Sequence, residues 1–219
     1  MTTFVQKTTL TLVMATALPL AAFAEGSWYP YEAEEVTPAF SADGTTSAIT
    51  YTPLEKAEKA WNICVSFPHM KDAYWLGVDY GVADEAARLG VKMNLVEAGG
   101  YTELNKQINQ IEDCVAGGAD AVVIGAISYD GLNNVIGEIA GKGIPVIDVI
   151  NGVSSTDISA KSLVSFRTMG AETGAYLAQK HPAGTDPVKV GWFPGPAGAG
   201  WVEADKKRRR RVRSATVFA

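Results

Sequence analysis

The stretch AVVIGAISYDGLNNVIGEIAGKGIPVIDVI, residues 121–150, decides the fold class. It opens on an unbroken apolar run, AVVIGAI, and closes on a second, IPVIDVI at 144–150. Runs of this length without alternation suit central strands covered on both faces. Between them, residues 132–141 carry a short helical pattern. Working upstream, the same order recurs. Residues 61–67 (WNICVSF) read as a strand, and 74–90 place Leu76, Tyr80, Ala83, Ala87 and Gly90 at helical spacing. Residues 91–98 alternate, with Val91, Met93 and Leu95 on one side, which suits an edge strand. Leu104, Ile108, Ile111, Val115 and Gly118 then form an apolar helical stripe, with Asn105, Lys106, Gln107, Asn109 and Gln110 opposite. Strand and helix alternate every 25–30 residues or so, the signature of βαβ units and a mainly parallel sheet. The expected fold is α/β, a three-layer α/β/α doubly wound domain whose ligands sit beyond the carboxyl ends of its strands.

The 219-residue chain is 47% apolar and 20% charged, ordinary for a globular protein with a sizeable core. Its start, MTTFVQKTTLTLVMATALPLAAFAEG, reads as a secretory signal peptide over 1–24, with Lys7, an apolar h-region and Ala22-Phe23-Ala24 as the cleavage site. A membrane anchor is the bland alternative; the run is short for a span and contains Pro19. A soluble, exported, periplasmic protein with no membrane insertion after cleavage is expected. In that oxidising setting Cys64 and Cys114 form a disulfide or remain two buried thiols. His69 and His181 show no ligand spacing with them, so no metal is expected.

Residues 25–53 are turn-rich without sustained period and read as an N-terminal extension. A first α/β lobe is expected over 54–165. The start of a second follows over 166–204, with a helix near 168–181, a strand at 188–193 and a glycine-rich loop at 194–201. The character then changes at 205–219, where KKRRRRVR holds seven of the chain's 19 basic residues. A nucleic-acid tail fits poorly with an exported acidic protein. A solvated tail and an altered reading frame are the other two readings.

No nucleophile elbow, zinc-protease motif or Walker loop is present, and the 195–200 glycines lack the dinucleotide spacing. Neither an enzyme nor a cofactor is expected. His69 reads as a loop or capping histidine. Aromatic residues are more telling: Tyr74, Trp75, Tyr101, Tyr129 and, further on, Trp192 or Trp201 fall at or near strand ends. One aromatic alone is ordinary packing; several at one sheet edge suit a cleft. Ring faces attract methylated cationic nitrogen. Asp72 or Asp148 would add charge, although Asp72 also reads as a helix N-cap. An amine oxide, a betaine or a stacked sugar would each fit.

Residues 61–101 (WNICVSFPHMKDAYWLGVDYGVADEAARLGVKMNLVEAGGY), with QIEDCVAGGADAVVIGAIS at 110–128, resemble the TorT family of the trimethylamine N-oxide (TMAO) reductase regulatory system. More distantly they resemble type I periplasmic binding proteins of the ribose-binding class, and VGWFPGPAGAGWVEA at 190–204 continues the likeness. The resemblance implies a two-lobed, hinged, non-enzymatic protein that closes on TMAO and signals through the periplasmic sensor domain of the histidine kinase TorS. By motif position it implies Asp72, Tyr74, Trp75 and Tyr101 as first-lobe contacts and Trp201 as the second-lobe candidate. Tyr129 and Asp148 join the set on strand-end position alone. The alternative is a binding protein that feeds a sugar or methylated amine to an ABC permease. Family members continue for another hundred-odd residues past the segment at 201–204, which favours the reading-frame explanation of the tail. A truncated second lobe is thus expected, and with it weak or absent TMAO binding by the chain as it stands.

Overall fold

A computed structural model describes residues 29–41, 44–191, 193 and 195–202. The expected signal peptide, the basic tail and Trp192 lie outside the described residues. Among those described, no helix is long and apolar enough to cross a membrane. The chain forms two compact units, 29–35 with 47–53 and 36–46 with 54–202.

The segment read as a turn-rich extension holds two paired strands, β1 (Tyr31–Thr37) and β2 (Thr45–Tyr51). Both are almost wholly exposed, so neither needs the apolar alternation by which a half-buried strand is recognised.

From Asn62 to Lys180 the expected alternation of strand and helix appears. β3 (Asn62–Phe67), α1 (Ala73–Leu89), β4 (Lys92–Glu97), α2 (Leu104–Ala116), β5 (Ala121–Ile124), α3 (Asn133–Gly141), β6 (Val146–Ile150), β7 (Ala160–Leu163) and α4 (Phe166–Lys180) follow in order. The sheet runs β4-β3-β5-β6-β7, with every neighbouring pair parallel. The alternating strand β4 lies at the edge and the two continuous runs lie inside, as their patterns require. Chain order reverses between β3 and β5, which places a topological switch point at their carboxyl ends.

Alternate residues of the central strands enter different cores. Cys64, Val122, Ile124 and Val146 pack with Ile111 of α2 and Val135, Ile136 and Ile139 of α3. Val65 and Phe67 face the other way and pack with Trp75, Val78 and Val82 of α1. Helices thus cover both faces, giving the three layers. Cys64 and Cys114 are joined as a disulfide between β3 and α2, their Cα atoms 6.0 Å apart.

Helix α1 is bounded by its own sequence. The Asp72 carboxylate accepts the Trp75 amide at 2.9 Å, and Gly90, at φ 70°, turns the chain out in the left-handed region that suits glycine. Beyond β7, α4 is capped by the Ser165 hydroxyl and exposed over residues 168–180. The strand expected over 188–193 does not form among the described residues there. Val188, Val190 and Phe193 are exposed and no strand lies beside them.

Candidate functional site

The switch point is occupied by rings. The loop after β3 and the first turn of α1 bring His69 and Trp75 beside Tyr101, which follows β4 and the Gly99-Gly100 turn. Trp75 is buried, at 2% exposure, with its ring centroid 4.9 Å from that of Phe67. A Cβ on Gly125 would stand 2.5 Å from the Trp75 ring, so only glycine after β5 admits the indole. An open ring wall was expected of Trp75. The structure makes it the floor instead, with only its N–H directed outward, donating to the Tyr101 hydroxyl at 3.2 Å.

Tyr101 is the centre of the group. His69 meets it edge-on at 5.4 Å and Trp201 edge-on at 5.1 Å. Its hydroxyl oxygen accepts from Trp75 Nε1 and from Asn151 Nδ2, the latter also at 3.2 Å. The same Asn151 nitrogen donates to the Ala126 carbonyl at 2.7 Å, which fixes the orientation of the amide. Both lone pairs of the phenol are therefore engaged, and its O–H hydrogen is the group left to offer a ligand. Burial pushes the Tyr101 pKa up and Asp72 adds to this, while the bonds from Asn151 and Trp75 pull it down. The net direction keeps the phenol protonated. Tyr74 is raised too, first by burial and then by Tyr101.

The remaining expected residues divide. Tyr74 stands at the rim, 45% exposed and edge-on to Trp75 at 6.0 Å. Asp72 lies beside it; one carboxylate oxygen caps α1 and the other is 3.8 Å from His69 Nε2. Trp201 arrives from the 195–202 segment, which docks on the strand ends. Tyr129 donates its amide to the Gly198 carbonyl at 2.9 Å, and a Cβ on Gly200 would overlap the Asn151 carbonyl oxygen. Tyr129 is half-buried behind this contact and packs near Gly152. Asp148 is not brought to the rings. It is fully buried, accepting the Val153 amide at 2.9 Å and facing Lys161 Nζ at 3.4 Å. Burial raises its pKa against the pull of those partners. As an inward position of β6 it ties down the following turn, where Ile150 adopts φ 67°.

Two residues that the sequence reading did not count among the ligand contacts complete the site. Asn151 aims Tyr101, and Gln107 sets the floor. Gln107 is fully buried on α2; its amide donates to Ser66 Oγ and the Gly125 carbonyl, and its oxygen accepts the Ile127 amide at 3.0 Å. Among the described residues no group of acids, histidines and cysteines is arranged to hold a metal.

A family model described as a periplasmic binding protein domain matches residues 63–209. The chain belongs to this periplasmic binding protein family. Among curated relatives, the periplasmic protein TorT of Escherichia coli (strain K12) is 35% identical over 173 residues, 74% of this chain and 48% of TorT. Among solved structures, an ABC transporter solute binding protein from Bradyrhizobium sp. BTAi1 with bound bis-tris is 77% identical. It matches at a TM-score of 0.70 over 82% of this chain and 54% of that one. The complex of the TorS sensor domain with TorT, in the absence of ligand, matches at 32% identity and a TM-score of 0.57, covering 66% and 51%. This periplasmic binding protein thus spans about half the length of the relatives it matches. Its parallel sheet and layered helices are those of the type I periplasmic binding fold.

Proposed function

We propose that the ring cluster at the strand ends binds a small alkylated amine bearing an oxygen acceptor, with TMAO the leading solute. The observation that carries this reading is the Tyr101 hydroxyl, a protonated donor framed by His69, Trp75 and Trp201. Ring faces attract the substituted cationic nitrogen, and the phenol hydrogen meets the ligand oxygen. Asp72, at the rim, adds favourable charge. Tyr74 and Tyr129 lie at the margins, and Asp148 serves the turn behind. The 77% identical solute binding protein holds bis-tris, itself a tertiary amine with hydroxyl arms, which supports the same ligand chemistry.

The TorT likeness supports a sensory output, in which the loaded protein engages the periplasmic sensor domain of a TorS-type histidine kinase. A second reading, delivery of the solute to an ABC permease, is favoured by that same solute binding protein.

Titration of the chain with TMAO, betaine and ribose, followed by tryptophan emission, tests the ligand. A saturable TMAO response is expected. Tyr101→Phe should abolish it. A response to ribose and none to TMAO overturns the amine reading. Binding of the loaded chain to an isolated sensor domain separates the sensory role from transport.

A further inference from the structure

At the opposite end of the α2–β3 contact, a cavity of about 190 Å³ opens beside the disulfide. Both Cys64 and Cys114 line it, together with Asn94, Gln110 and Asp113. Asn94 and Asp113 are exposed at its mouth, whereas Cys64 and Cys114 are buried, so a reagent reaches the sulfur atoms only by entering the cavity itself. Asn94 Nδ2 lies 3.5 Å from Cys114 Sγ, and Gln110 Oε1 is a buried acceptor with no partner. We propose that the Cys64–Cys114 disulfide is a reducible latch on the ligand site, opened by a small amino thiol that enters this cavity.

The lining specifies the reagent. An ammonium group satisfies the orphan Gln110 oxygen and is drawn by Asp113, whereas an anionic thiol is repelled there. The incoming thiolate attacks Cys64 Sγ and the S–S bond breaks. Cys114 leaves as a thiolate held by the Asn94 amide until it takes up a proton. A second reagent thiolate attacks the first reagent's sulfur, expelling Cys64 as a thiolate that takes up the second proton. The two reagent thiols depart joined as a disulfide, having supplied both electrons and both protons.

The latch acts through α2. Cys114 and Gln107 are seven residues apart, two turns, and both are buried on the side that meets β3. The disulfide holds the far end of the helix to β3 while Gln107 clamps Ser66, Gly125 and Ile127 beneath Trp75. Releasing the first loosens the second.

The ligand consequence rests on the solute-binding reading above, but the latch itself is measured without ligand. The folded chain is treated with cysteamine or with anionic mercaptoethanesulfonate, and hydrogen exchange is followed at Ile127, whose amide binds Gln107. Cysteamine should reduce the native disulfide faster, and exchange at Ile127 should rise roughly 10-fold, with Val122 unchanged. A Cys64→Ala/Cys114→Ala variant should reproduce the fast exchange; if it does not fold, reduction of the native chain carries the test. Reduction only at the rate of global unfolding, or Ile127 exchange indifferent to reduction, overturns the proposal. Loss of a TMAO response with the Ile127 effect intact counts against the ligand alone.

Discussion

The two faces of the sheet are packed for different ends. Among the described residues, a broad aliphatic core of fourteen buried residues lies beneath α2 and α3 with the disulfide in its midst, whereas the core cluster beneath α1 has three, Val65, Phe67 and Trp75. Two of those three are aromatic, and Trp75 directs its N–H to the Tyr101 hydroxyl at the strand ends. The thick face supplies the burial that holds the domain together. The thin face spends its bulk on rings that end at the switch point. On the solute-binding reading, stability and recognition fall to different faces of one sheet, and Gln107 is bonded to the strand ends between them.

Deep truncation on the thick face should have the largest effect. Ile111→Ala removes a fully buried side chain and should cost about 3 kcal/mol or more in urea unfolding. An effect no larger than that of an exposed substitution would erase the contrast between the faces. Gln107→Leu keeps the bulk but strands Ser66, the Gly125 carbonyl and the Ile127 amide, costing about 2 kcal/mol. It should also weaken solute binding, which Ile111→Ala should do only by unfolding. Asp72→Ala removes the α1 cap and should cost about 1 kcal/mol, with Asp72→Ser recovering most of it. If Ser restores stability but not TMAO affinity, the two roles of Asp72 are resolved.

The smallest effect should come from Asp148. Its folded pKa is raised, so its contribution is fully present below its unfolded pKa and is lost as pH rises through the folded value. Urea stability followed upward from pH 3 should carry this downward component, and Asp148→Asn should remove it. Lys161, the backbone of Val153 and that of Gly152 oppose the shift without reversing it.

The layered fold was legible because its signals are long and redundant: continuous runs for β5 and β6, alternation for β4, helical stripes between. Where burial does not enforce a pattern, reading failed. β1 and β2 are exposed on both faces, and residues 188–191 carry strand-like composition without a neighbouring strand. At the site, the rings were legible because aromatics at strand ends are conspicuous. Their polar supports were not. Gln107 was placed opposite the apolar stripe of α2, yet the helix meets the strand ends there and gives it three buried partners. Asp148 misled in the converse way, since a carboxylate in an apolar run looks available until the pleat turns it inward.

The doubly accepting oxygen of Tyr101 carries a consequence for chemical discrimination. With Trp75 and Asn151 on its lone pairs, the phenol speaks to a ligand through one hydrogen and refuses a competing donor. A protonated tertiary amine offers only such a donor; its N-oxide offers an acceptor. On the solute-binding reading proposed above, one aimed hydrogen would distinguish two oxidation states of the same nitrogen, a selection that ring size and net charge alone would not make.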